Sequence, residues 1–143
     1  MKFSLFIDAN REEEVQVFAH AKSPLTDRIE QLVNEQGELF GFCEQTTVRL
    51  HIEQIECFFS EGERVFAQTA DARWQVRGRL YQLEQQYAAR FVRINRSCLV
   101  APDAIERFDA VFSGALRVTL KSGYCDYVSR RQLRQVKERL GLK

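Results

Sequence analysis

The 143-residue sequence is short of the residues that build covalent or metal-bound scaffolds. Its four cysteines, Cys43, Cys57, Cys98 and Cys125, lie far apart with no C-x-x-C pair. That spacing argues against a disulfide framework and a zinc site, and such thiols are expected as small buried hydrophobes. With only 2 prolines and 7 glycines there is no linker-like tract, no low-complexity run and no internal repeat. A string of domains is thereby excluded, leaving one core of ordinary size with a possible appendage.

Other absences narrow the function. No apolar run approaches the roughly 18 residues that a membrane-spanning helix needs, so no membrane span is expected. The opening MKFSLFIDANREEE has no basic n-region, long apolar stretch and small-residue cleavage site, and a cytoplasmic location is the expectation. No G-x-S-x-G elbow is present, no Gly-rich loop precedes a Lys-Ser/Thr pair, and the 2 histidines, His20 and His51, sit in strand-like alternation. Neither an enzyme nor a cofactor is indicated. Glu12 to Glu14 form a run of like charge that is expected to be hydrated, and Asp8 at a strand end cannot belong to a receiver domain in so short a segment.

What the sequence does have is a division of charge. Residues 1–45 hold 4 Lys/Arg against 9 Asp/Glu, whereas the remainder holds 17 against 11, within a net charge of +1. A basic domain behind an acidic arm suits a polyanion partner. Periodicity changes near the same place, which sets the expected boundary: an acidic extension over 1–45 and a main domain over 46–143.

In the extension, KFSLFID and EVQVFAHA alternate like strands around the Arg11 to Glu14 cluster, predicting a hairpin. Ser23 and Pro24 then open a helix with Leu25, Ile29, Leu32 and Val33 on one face, ending at Gly37. ELFGFC (38–43) is short and apolar. From residue 46 the period is two: Val48, Leu50 and Ile52 alternate with Arg49, His51 and Glu53. QIECFFS, RVFAQTA and RWQVR predict an antiparallel meander, with Trp74 and Val76 on one face. A short helical pattern (Leu80, Leu83, Tyr87) follows Gly78. VFSGALRVTLKSGYCDYV predicts two hairpins that turn at Ser113-Gly114 and Ser122-Gly123, with Leu116, Val118 and Leu120 inward. The last segment, VSRRQLRQVKERLG, has an S-x-x-Q capping box at Ser129 and Gln132, a stripe of Leu133, Val136 and Leu140, and a stop at Gly141. The predicted class is mainly β with short helices (α+β).

Two constellations bear on function. Within FVRINRSCLV, Arg93, Asn95 and Ser97 share the outward face of a strand, and Arg96 stands where the apolar pattern breaks. These are types that donate to phosphate oxygens or read base edges; the alternative is a polar turn between two short strands, with Asn and Ser capping the backbone. In the last helix, Arg130 and Arg131 occupy the first turn, where positive charge opposes the helix dipole at a cost of up to about 1 kcal/mol each. A bound phosphate would explain that placement, because helix-start N–H groups and guanidinium forks together hold anions. A merely solvated basic face is the alternative.

Taken in order, QIECFF, WQVRGRLYQLE, FVRINRSCLVAPDAIERF, LRVTLKSGYCDYVSRRQL and RQVKERLG resemble the LytTR family of DNA-binding domains over about residues 46–141. The resemblance implies a stack of small antiparallel sheets whose loops and strand ends enter successive major grooves of double-stranded DNA, as in a stand-alone transcriptional regulator without a receiver domain. It assigns DNA contacts to Asn95, Arg96 and Ser97, to Arg131 with Arg130 beside it, and to Arg64 in the SEGER loop, with Lys121 on phosphate. It also implies paired direct repeats as the target and a homodimer on DNA. Asn95 stands where the family often has His, and Ala101 where Asn is frequent. The acidic extension is expected to pack on the domain, to pair two chains or to receive a regulatory protein. From the residues alone, an interaction or sensing module meeting an acidic partner, or RNA binding, remain alternatives.

Overall fold

The computed structural model describes residues 1–34, 38–112 and 114–142. Its elements are α1 (Pro24–Asn34), β1 (Leu39–Cys43), β2 (Thr46–Leu50), β3 (Cys57–Glu61), β4 (Arg64–Gln68), β5 (Arg73–Val76), α2 (Leu80–Gln86), β6 (Val92–Asn95), β7 (Cys98–Val100), β8 (Ile105–Ala110), β9 (Leu116–Leu120), β10 (Cys125–Val128) and α3 (Arg130–Leu140). The strands form a seven-stranded sheet in the order β2-β1-β5-β4-β3-β7-β6 and a three-stranded sheet in the order β10-β9-β8, with antiparallel pairing throughout. The mainly β class with short helices is the one the sequence predicts.

β3 and β7 explain the layering. Cys57-Phe58-Phe59 and Cys98-Leu99-Val100 are continuous apolar runs, which a strand can satisfy only by being covered on both faces. Alternation sends Phe58 and Leu99 into one core with Leu80, Leu83 and Tyr87 of the α2 region, while Cys57, Phe59, Cys98 and Val100 enter another with Val118, Leu120, Val128 and Val136. The large sheet is thus sandwiched between α2 on one side and the small sheet with α3 on the other. Cys57 and Cys98 are buried as expected, but Cys43 and Cys125 are exposed.

ELFGFC supplies β1, which pairs with β2 over five residues and with β5 at Gly41↔Val76 and Phe42↔Gln75. The approach is close: a Cβ at Gly41 would lie 2.6 Å from Trp74 Cβ. The β1–β2 hairpin therefore straddles residue 45 and belongs to the main sheet.

The N-terminal segment departs from expectation. A turn forms, with Arg11 N–H donating to Asp8 O (3.4 Å) and Asn10 N–H to Asp8 Oδ1 (3.0 Å), so it precedes the acidic cluster. Among the described residues, however, 3–7 and 15–19 form no strand ladder; the hairpin of this part of the chain is β1–β2. α1 is capped as predicted, Thr26 N–H donating to Ser23 Oγ (3.3 Å) and Ser23 N–H to Thr26 Oγ1 (2.9 Å). Gly37 and Ser113, expected at a helix end and a turn, lie outside the described residues.

Candidate nucleic-acid interface

Asn95-Arg96-Ser97 is not the middle of a strand. It is the tip of the β6–β7 hairpin, with Arg96 and Ser97 as the turn. Neither residue adopts a positive φ; Glu44 is the only non-glycine that does among the described residues. The turn is held instead by Asn95, whose Oδ1 accepts the Ser97 N–H (2.7 Å) in an Asx-turn. The other end of the same amide donates to Asp126 Oδ1 (3.0 Å) and Tyr127 O (2.7 Å), joining the tip to β10. Arg93 is also spent internally: its guanidinium donates to Glu84 Oε2 (3.0 Å) and to Arg96 O (2.8 Å). Of the outward set read from the sequence, Arg96 is left exposed at the apex, without an ion pair among the described residues.

Two backbone hydrogen bonds gather other basic residues around this tip. Ser129 N–H donates to Ile94 O (2.9 Å), fixing the head of α3 beside the hairpin. Ser129 Oγ accepts the Gln132 N–H (3.3 Å), so half of the predicted capping box forms, while Ser129's own N–H is committed to Ile94. Arg130 and Arg131 follow immediately, both exposed; the Arg130 guanidinium lies alongside Gly114 in the β8–β9 turn. α3 ends in the predicted way at Gly141, with φ +71°.

On the other side, Ser60 N–H donates to Ser97 O (2.9 Å). The β3–β4 turn, with Glu61 paired to Arg64, begins at the next residue, so Arg64 projects from the same end of the sheet. Val65 pairs with Val76, which makes Arg64 and Arg77 cross-strand neighbours. Like charges placed opposite one another destabilise a sheet. Arg77 is held 5.1 Å above the Phe42 ring and, like Arg64, forms no ion pair among the described residues. Both line an open groove of about 380 Å³ that also includes Glu63 and Gln75. Arg77 is absent from the sequence-derived set, although its alternation with Val76 marks it as outward-facing.

Lys121 is elsewhere. It begins the β9–β10 turn, where its N–H donates to Ala104 O (3.0 Å) and Ser122 N–H donates to Glu56 Oε1 (2.9 Å). Glu56 precedes β3, whereas Ser60 and Glu61 end it, so this turn lies roughly 13 Å along the strand from the tip cluster, at about 3.3 Å per residue. Glu56 is the buried carboxylate among the described residues, 7% exposed, and sequence reading passes over it within QIECFF.

Beneath the tip the Cys98 thiol and the Tyr124 phenol are held neutral. The hydrogen bond with Cys57, followed by burial, raises the Cys98 thiol well above its ordinary range. Burial raises the Tyr124 phenol, which donates to Asp126 Oδ2 (3.2 Å). Thiols so placed are inert. The site's chemistry is therefore that of a donor array: guanidinium forks on three adjacent loops, suited to phosphate oxygens and guanine edges.

Comparison with known proteins identifies the module. The model of the LytTr DNA-binding domain matches residues 45–141. An uncharacterized HTH-type transcriptional regulator of Staphylococcus aureus (strain bovine RF122 / ET3-1) is 32% identical over 148 residues, covering 99% of both chains. A second, from strain NCTC 8325 / PS 47, is 30% identical with the same coverage. Among solved structures, one described as the LytTr DNA-binding domain of a methyl-accepting/DNA response regulator from Bacillus cereus superposes with a TM-score of 0.69 at 12% identity. It covers 75% of this chain and 99% of that one. The matched module is a DNA-binding one and not a catalytic one. No helix among the described residues is long and apolar enough to cross a membrane. By sequence and by fold, the chain belongs to the LytTR family of DNA-binding domains.

Proposed function

We propose that the protein is a transcriptional regulator that reads double-stranded DNA with the end of its large sheet. Arg96 at the hairpin tip and Arg131 at the head of α3 contact base edges in a major groove. Arg130, Arg64 and Arg77 flank them on phosphate and base edges, and Lys121 makes a separate phosphate contact along the duplex. Asn95 and Ser97 serve this surface by fixing the tip, since the Asn95 amide is already engaged at both ends. The carrying observation is the pair of backbone hydrogen bonds, Ser60 to Ser97 and Ser129 to Ile94, that brings three basic loops to one end of the sheet.

Positive charge supplies affinity by counterion release, and each good bidentate contact supplies about 1–3 kcal/mol of discrimination. α2 and α3 are separated in the chain by β6 to β10, so loops and a helix start do the reading in place of a helix-turn-helix pair. Selection of bound duplexes from random DNA tests the proposal: a short recurrent motif is expected, with two copies where two chains bind side by side. Enrichment without a motif, or equal competition by single-stranded RNA, would overturn it.

A further inference from the structure

Phe40 and Phe42 of β1 have a placement that the two cores do not explain. Leu39 and Val48 pack against the core beneath α2, and Gly41 is closed over by Trp74 and Leu50, so alternation sends Phe40 and Phe42 to the opposite face of the large sheet. On that face the small sheet and α3 cover β3, β6 and β7, and neither phenylalanine joins either core among the described residues. Each ring lies instead beside a guanidinium: Arg49 is 6.0 Å from the centre of Phe40, and Arg77 is 5.1 Å from that of Phe42. The register lines these arginines up. Phe40 pairs with Arg49, and the pairing of Gly41 with Val76 places Phe40 opposite Arg77, which is itself opposite Arg64. One row, Arg64, Arg77, Phe40 and Arg49, therefore crosses β4, β5, β1 and β2 and spans about 14 Å at roughly 4.8 Å per strand. It lies at the end of the sheet where Ser60 is hydrogen-bonded to Ser97, so it continues from the hairpin tip.

We infer that Arg64, Arg77 and Arg49 form a platform for the sugar-phosphate backbone of the bound duplex, extending the contact beyond the bases read at the tip. The inference rests on the proposed reading of DNA and adds Arg49, Phe40 and Phe42 to it. Three features of the row select a phosphate strand as its occupant. Arg64 and Arg77 are like charges opposed across two strands, an arrangement that destabilises a sheet until an anion lies over it. A guanidinium lying over a ring keeps its N–H edges free, and those edges suit phosphate oxygens. The length of the row, about 14 Å, matches about four phosphates of one strand at a rise of 3.4 Å each. The nearby carboxylates do not cancel this charge. Glu61 is held by Arg73 (3.2 Å), and Glu63 is the carboxylate lining the groove beside the two guanidiniums of Arg64 and Arg77. Arg49 pairs with Glu38 (3.1 Å), but both side chains are more than half exposed, and such pairs are weak enough to exchange for a better anion.

Titration of the full chain against duplexes carrying one copy of the selected motif, with each flank trimmed stepwise, tests the platform. The parent is expected to lose affinity when about four base pairs are removed from one flank and not from the other. Arg49→Ala/Arg77→Ala is expected to bind the untrimmed duplex about 10-fold more weakly near physiological salt, with the salt slope reduced by about 2 and the dependence on that flank abolished. The loss is expected to be equal on scrambled duplexes of the same length, as for any phosphate contact. Arg49→Lys/Arg77→Lys is expected to keep the slope and the flank dependence, because a lysine still serves phosphate as a point charge. If the alanine variant kept the parent's slope and flank dependence, the platform would be overturned while the reading at the tip stood. A loss confined to motif-bearing duplexes would overturn it as well, since these arginines would then be reading bases. A parent with no affinity for any duplex would remove both the platform and the reading on which it rests.

Discussion

The β6–β7 tip and the β9–β10 turn solve the same problem with different chemistry. Each is a basic turn whose backbone N–H is accepted by a side-chain oxygen: Asn95 Oδ1 takes the Ser97 N–H, and Glu56 Oε1 takes the Ser122 N–H. Asn95 is local and neutral, and its amide continues into β10, so the tip is joined to the basic head of α3. Glu56 is buried and 66 residues distant from the serine it holds, and the turn it anchors carries Lys121 alone. The difference teaches that a charged residue in a well-held turn is not by itself a recognition device; the role proposed for the tip rests on the basic residues of neighbouring loops that gather around it.

The largest expected effect would break the comparison on the functional side. Arg96→Ala combined with Arg131→Ala is expected to cost about 2–4 kcal/mol of specific binding and to relax preference at two positions of the selected site, as read by titration against specific and scrambled duplexes. If the scrambled duplex lost as much, neither residue would read bases. On the stability side, Glu56→Ala is expected to lower the urea-unfolding free energy by about 1–3 kcal/mol, because a buried donor loses its acceptor, with Glu56→Gln costing less. Equal losses for Ala and Gln would show that the carboxylate's charge, and not its hydrogen bond, matters.

Asn95→Ala sharpens the contrast. Its stability cost is expected to be about 1–2 kcal/mol, smaller because the site is half-exposed, yet its DNA affinity is expected to fall while that of Glu56→Gln stays near the parent. Retained affinity in Asn95→Ala would separate tip geometry from recognition. The smallest effect belongs to Lys121→Ala: under about 1 kcal/mol, equal on all duplexes, with the salt slope reduced by about 1.

Why some of this was legible in the sequence and some was not has physical causes. Half-buried strands announce themselves by alternation, so β5 and β9 were readable, as was α3 with its Ser129 cap and Gly141 stop. The turn at Arg96-Ser97 uses no positive φ and so carries no Asn-Gly or Asp-Gly signal; the Asx-turn made by Asn95 replaces it. The β1–β2 hairpin was hidden for a related reason, since Glu44 takes φ +53° without being a glycine. In 3–7 and 15–19 the alternation marks which side chains share a face but cannot supply a partner for the backbone, and no ladder forms there. Residue types pointed to Arg96, Arg130 and Arg131, and the family resemblance added Arg64. Their gathering at one end, the addition of Arg77 and the isolation of Lys121 depend on pairings between distant segments that no local pattern encodes.

The bond from Ser129 to Ile94 has a final consequence. Hairpin and helix arrive at any encounter already fastened together, so a partner need not assemble them. What remains to be ordered on binding is the rotation of a few guanidinium side chains, and little of the attraction is lost to rearranging the main chain.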